Sequence, residues 1–340
     1  MWTRFKRAIA GYLPNSFFRL YNEYLVEREL KETFKYDYKR YKEHSASKGF
    51  NNQIKLEGIL VRGYHVIEKG LTMPETRLGF GQSKIIDLCN YCQQYILNYN
   101  YRSSKQLEHA LIVLKEYLEF HENRKFELPP SITSKINYVL HLANLNTNVF
   151  EEQTIVSKKE YFKYTNDSFP LFSNSRKSVR NYIDVEIPEK SFKEALSLAL
   201  NAPSACNRQS SHMHIFSDPD KIKKILELQG GANGFGHLAT KLIVITAELG
   251  VFNSPRERNQ AFIDGGIFSM NLLYSLHAHS IAGCILNCNF PPLKDVCVRE
   301  ECGIQDHEVF IAMISCGIPP DKFKLANSLR YCLEDRCKFY

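Results

Sequence analysis

Two short segments of this 340-residue chain bring together residue types whose spacing suits the binding of a phosphorylated ring. In Ser175-Arg176-Lys177-Ser178-Val179-Arg180, two guanidiniums, an ammonium and a hydroxyl fall within one short turn or helix start. The planar fork of Arg holds two phosphate oxygens at once, which a point charge does not. About two dozen residues on, Ala202-Pro203-Ser204-Ala205-Cys206-Asn207-Arg208-Gln209 follows a helical stretch and offers a hydroxyl and two side-chain amides. Amides both donate and accept, so they read the polar edge of a flat ring. A phosphate grip joined to a ring-edge reader is what a mononucleotide cofactor requires, and flavin mononucleotide (FMN) is the natural candidate.

Read alone, each segment has a plainer meaning. Arg176, Lys177, Ser178 and Arg180 could be a solvated surface turn, and Pro203, Ser204 and Asn207 suit a helix-ending turn. Their order and proximity favour the functional reading. A second polar group, Arg62, His65, Glu68 and Lys69, has spacings of three and four that place it along one side of a helix. It precedes a Gly/Pro-rich stretch and reads either as a substrate-selecting lid or as ordinary surface ion pairs. The loop Gly230–Gly236 lacks the terminal Gly-Lys-Ser/Thr of a phosphate-binding loop, but its Asn233 could reach a ring edge. His212, His214, His277 and His279 form no ligand pattern with carboxylates, so no metal is expected.

The two segments also carry a family resemblance. Arg176-x-Ser178-x-Arg180 followed by Ala202-Pro203-Ser204-x-x-Asn207-x-Gln209 resembles the N-terminal signature of the nitroreductase family of FMN-dependent oxidoreductases. Three later stretches are similar in the same order: the apolar strand Lys241–Glu248, the helix opened by Asp264-Gly265-Gly266, and the last core strand Val309–Gly317 with Arg330 beyond it. The resemblance covers roughly residues 170–340. It implies an α+β fold with a mixed, largely antiparallel sheet flanked by helices, and an intertwined homodimer with FMN at the subunit interface. It also implies FMN contacts from Arg176, Lys177, Ser178, Arg180, Pro203, Ser204, Ala205, Asn207, Gln209, Asn233, Leu286, Asn287 and Arg330. Electrons from NADH or NADPH would pass through the flavin to an electron-poor small molecule, with no catalytic side chain needed. Two other readings are a flavin-dependent dehydrogenase or oxidase of a biosynthetic intermediate, and a binding protein that kept the fold without the chemistry.

The elements that must position these residues follow from periodicity. Residues 1–165 read as an all-helical extension, with helices over Leu20–His44, Gln82–Tyr99, Ser104–His121 and about 131–144. Residues 166–340 alternate helices and strands and form the FMN-binding half, after a linker at 166–170. A helix is expected over Pro255–His279, with Gly265 and Gly266 letting a second helix approach. Cys89 and Cys92 fall on an apolar stripe and read as core, not as a redox or zinc pair. Hydrophobic residues make up 44% of the chain and charged ones 24%, ordinary for a globular protein. The net charge of +7 is spread out and matches no nucleic-acid module. No apolar run approaches membrane-spanning length, no secretory signal is recognisable, and a reduced, cytoplasmic setting is expected. The basic stretch Met1–Ile9 could touch an anionic membrane or dock as a terminal helix.

Overall fold

The periodic apolar positions of the first half become helices in the computed structural model, which describes residues 15–144 and 153–340. Met1–Ile9 lies outside the described residues. Five helices run in order: α1 (Asn15–His44), α2 (Gln53–Leu71), α3 (Gln82–Asn98), α4 (Lys105–Glu122) and α5 (Pro130–Ala143). Side-chain oxygens mark two of their starts. Asn52 accepts from Lys55 N at 3.0 Å before α2, and Ser104 accepts from Leu107 N at 3.2 Å before α4. Along α2, Leu56, Leu60, Tyr64, Ile67 and Leu71 recur at helical spacing and are all buried. They pack with Leu88 and Cys92 of α3, Leu111 and Leu114 of α4 and Ile136 of α5. Burial pushes the Cys89 thiol up to about 12 and Cys92 well above its ordinary value, so both are inert core. The helix α1 differs from the others: none of its described side chains is fully buried.

The N-terminal half is mostly helical, but it ends in a strand. β1 (Thr154–Ser157) pairs antiparallel with β6 (Lys322–Leu325), tying the end of the first half to the C-terminal part of the second. Periodicity could not reveal this, because a four-residue strand has too little pattern and its partner is remote in sequence. The expected linker at 166–170 is also partly ordered. After the short α6 (Lys158–Tyr161), α7 (Phe169–Ser175) begins with Pro170 in its first turn, where a missing N–H costs nothing.

Beyond α7, β2 (Ser211–Phe216), β3 (Lys241–Glu248), β4 (Ala282–Asn287) and β5 (Glu308–Gly317) form one sheet in the order β2-β3-β5-β4, every neighbouring pair antiparallel. α8 (Glu189–Ala199) and α10 (Gln260–Ala278) cover one face; α9 (Pro219–Gln229) and α11 (Pro292–Cys302) cover the other. Alternation along β3 shows why: Leu242 and Val244 pack towards α9 and α11, Ile243 and Ile245 towards α8 and α10. With both faces covered, Leu242–Ala247 is buried throughout. The helix expected over Pro255–His279 is divided into a 3₁₀ turn, Pro255–Glu257, and then α10. Gly265 admits a strand, not a second helix, because a Cβ there would come within 2.6 Å of Ile311 on β5. Gly266 faces open space. Among the described residues, no helix is long and apolar enough to cross a membrane.

Candidate cofactor site

Residues 176–180 run beside β4, pinned from behind. Val179 is fully buried and its N–H donates to Gly283 O at 3.1 Å. The buried Tyr182 hydroxyl donates to Val179 O at 2.7 Å, and Tyr161 donates to Lys177 O at 2.7 Å. Fixing these carbonyls leaves the intervening side chains to line a cavity of about 280 Å³. Arg176, Lys177, Ser178 and Arg180 all line it, together with Arg330 from the C-terminal segment. The structure therefore brings together the phosphate-binding candidates that the sequence separates by 150 residues. A larger cavity of about 840 Å³, between α1 and the 49–55 turn, contains none of the motif residues.

The electrostatics of the smaller cavity are one-sided. Among the described residues, no carboxylate lies within ion-pair distance of Arg176, Lys177, Arg180 or Arg330. Arg180 is only 9% exposed, and Arg176 Nε is buried without a hydrogen-bond partner. Burial, then Arg330 and Arg176, holds the Lys177 ammonium below the usual lysine range. Lys69 is lowered by burial and then by Arg180. Arg330 is exposed, but Arg180 and Lys177 are desolvated beside it, and crowded cations without counter-charge are unfavourable unless an anion joins them. A phosphate monoester has the charge and the number of acceptor oxygens that this donor set requires.

The third wall comes from α2, whose Val61, Tyr64 and His65 line the same cavity. Behind it lies Glu68, fully buried, accepting from His109 Nε2 at 2.7 Å and Ser328 N at 3.3 Å, with His65 Nδ1 at 3.5 Å. Burial alone would raise its carboxyl; the hydrogen bond from His109 and the imidazole of His65 nearby outweigh that and hold it down to about 2, although Glu68 Oε2 itself is buried without a hydrogen-bond partner. The other two residues of the α2 group lie elsewhere. Arg62 is exposed and outside the cavity, and Lys69 donates to Gly231 O in the glycine-rich loop.

The ring-reading loop lies apart from this cavity. Pro203, Asn207 and Gln209 are exposed, Ser204 and Ala205 half-buried, and none of them lines it. The loop is nevertheless built. Cys206, Asn207 and Gln209 all take left-handed φ values, 52°, 54° and 49°, which only supporting contacts sustain in non-glycine residues. The support is the buried Asp264 carboxylate, which accepts from Ala205 N at 3.1 and 3.2 Å, together with the Arg208–Glu257 pair at 2.5 Å. Asp264 sits near the start of α10. His277, which accepts from or donates to Ser175 at 2.8 Å beside Arg176, sits near its end. At about 1.5 Å per residue, the two halves of the motif are separated by roughly 20 Å of helix.

On β4, the alternation decides which residues face outward. Leu286 is buried in the sheet's core, leaving only its backbone for a ligand, while Ile285 lines the cavity and Asn287 is exposed. Asn233 is exposed on its loop. His212 and His214 gather on Glu308, His214 at 2.8 Å. Sequence reasoning missed Tyr64, Ser328 and Asp264. Only Asp264 had a local signal, as the acidic residue before two glycines.

With this geometry in place, residues 174–233 match the sequence profile of the Nitroreductase family. The C-terminal half carries a nitroreductase-family segment. Among curated proteins, an Archaeoglobus fulgidus protein named "Putative NADH dehydrogenase/NAD(P)H nitroreductase" is 27% identical over 151 residues, which are 44% of this chain and 83% of that one. Among solved structures, an FMN-dependent nitroreductase from Clostridium difficile is 21% identical, covers 49% of this chain and 96% of its own, and has a TM-score of 0.41. The nitroreductase segment contains both halves of the motif, and its relatives are oxidoreductases by name.

Proposed function

We propose that this chain is an FMN-dependent oxidoreductase that draws electrons from NADH or NADPH and reduces an electron-poor small molecule. The observation that carries the reading is the uncountered cation set of Arg176, Lys177, Arg180 and Arg330 around one cavity, with an orphaned buried Arg176 Nε. FMN fits that set through its phosphate, and when bound it supplies hydride transfer at the flavin ring. Arg176, Arg180 and Arg330 hold the phosphate by charge-assisted hydrogen bonds, and Ser178 adds a hydroxyl. The β4 backbone at Leu286 and Asn287 borders the ring, and the amides of Asn207 and Gln209 fix its polar edge.

In this reading the ring-reading loop serves a second copy of the chain. The outer face of α10 presents Phe262, Ile263 and Ile267, all at least 42% exposed, around the open Gly266. Two such helices packed antiparallel about a two-fold axis bury that face and set the start of one α10 beside the end of the other. The 20 Å between the motif halves is thereby closed across the interface. Residues 1–165 act as the helical extension and 166–340 as the FMN-binding half. Ten free cysteines suit a reduced, cytoplasmic setting. The test is an absorption spectrum of the purified protein: a flavin band that bleaches on adding NADH or NADPH is expected. Colourless protein that cannot be loaded with FMN overturns the reading.

A further inference from the structure

The cavity around the proposed phosphate site is closed by a helix that the nitroreductase segment does not contain. α2 lies more than a hundred residues upstream of the matched segment, yet it supplies one wall of the cavity through Tyr64 and His65. We propose that His65 is a direct donor to the phosphate of the bound flavin, positioned by Glu68, and that it makes the site select phosphorylated flavin over riboflavin. The proposal rests on the FMN reading above.

Three observations support it. The His65 side chain is 45% exposed and lines the cavity, so it is accessible to a ligand there. Its Nδ1 lies 3.5 Å from Glu68 Oε2, a buried oxygen with no hydrogen-bond partner of its own, so Nε2 is the ring nitrogen left for a ligand. An imidazolium donates from both nitrogens, so the ring can bridge the Glu68 carboxylate and a phosphate oxygen. Finally, Glu68 is itself immobilised by His109 and by the backbone N–H of Ser328, two residues before Arg330. One buried carboxylate thus registers α2, α4 and the C-terminal segment against one another. Polar groups fixed from behind in this way lose little freedom on binding a ligand. At the end of α2, Lys69 holds Gly231 O, and just beyond the helix Met73 lies beside Gly234, so this end of α2 is anchored on the glycine-rich loop.

α2 stands over the phosphate end, and its polar residues act on cofactor retention more than on substrate choice.

The experiment uses full-length protein stripped of flavin and titrated with FMN and with riboflavin, following flavin fluorescence. His65→Ala is expected to weaken FMN binding about tenfold, the scale of one hydrogen bond to a charged group, while riboflavin affinity stays within twofold. His65→Lys, which restores a cation, should recover part of the loss. Glu68→Gln should weaken FMN several-fold in the same selective way. Arg62→Ala removes a charge from the same helix outside the cavity and is expected to change neither affinity. Equal losses for both flavins in His65→Ala, no loss for either, or a loss in Arg62→Ala matching that in His65→Ala would overturn the role of His65. Wild-type protein that binds no FMN overturns the underlying reading instead, and the two failures are told apart by the wild-type titration.

Discussion

The two halves of the motif meet opposite conditions in a single chain. The phosphate grip is enclosed: Val179 and Tyr182 anchor it in the core, four chain segments surround it, and its cations lack any described counter-charge. The ring-reading loop is open: Asn207 and Gln209 are exposed, and their left-handed backbone is sustained from behind by Asp264 and Glu257. The cationic cavity is built from side chains of one chain alone. A strained loop presented to solvent, beside an uncovered apolar helix face, is complete only against another surface. Under the proposed dimer, the comparison separates what one chain would do alone from what it would do as a pair.

The largest effect is expected from removing the enclosed half. Replacing Arg176 and Arg180 together by Ala takes away both planar forks. FMN affinity should fall at least a hundredfold, roughly two charge-assisted hydrogen bonds or more. The purified double variant should be colourless while its far-ultraviolet circular dichroism is unchanged. Retained flavin would place the phosphate elsewhere.

The open half is broken without touching the cavity by Ile267→Glu on α10. A carboxylate at the centre of the proposed two-fold contact has no partner, and two copies bring like charges together. Sedimentation should show monomer, and FMN affinity should fall about tenfold or more, because each ring would lose the loop supplied across the interface. A monomeric variant with unchanged affinity would show that each chain holds its flavin unaided.

Much of this division was legible in the sequence. The continuous apolar run at Leu242–Ala247 marked the sheet strand and the stripe Leu107, Leu111, Leu114 a core helix, because a strand covered on both faces needs an unbroken apolar run and a helix covered on one face a period of 3.6. Arg176, Ser178 and Arg180 stood out only through the Ala202–Gln209 motif that follows them; taken alone they read as a solvated surface turn. What stayed hidden was long-range. The β1–β6 pair, the approach of Ser328 to Glu68 and the entry of Tyr64 and His65 into the cavity join residues up to 260 apart, and no local pattern encodes them. Asn207 and Arg176 share a motif in sequence but not a cavity, since order along the chain does not encode distance in the fold.

A smaller effect concerns the carboxylate that holds the enclosed half together. The folded pKa of Glu68 is about 2, against an ordinary 4.5. Its ionised form therefore stabilises the fold fully above about pH 4.5, and that contribution is lost as pH falls towards 2. At pH 7 the difference corresponds to roughly 3 kcal/mol, and by pH 3.5 it shrinks by about 1 kcal/mol. Urea unfolding of Glu68→Gln should show a deficit of that order at pH 7 that narrows in acid. A gap independent of pH would mean that the carboxylate is not the stabilising species.

The smallest effect tests the open half by one amide. Asn207 is exposed, and its left-handed backbone is a conformation that Asn tolerates better than Ala. Asn207→Ala removes one neutral hydrogen bond to the ring edge and adds a modest backbone cost, so FMN affinity should fall about three- to tenfold. Riboflavin should lose the same factor, because the contact is to the ring. That is the reverse of the selectivity expected at His65, where the phosphate is the target. Measuring both variants against both flavins assigns each half of the motif to its end of the cofactor. A loss confined to FMN in Asn207→Ala would reverse that assignment and place the loop over the phosphate.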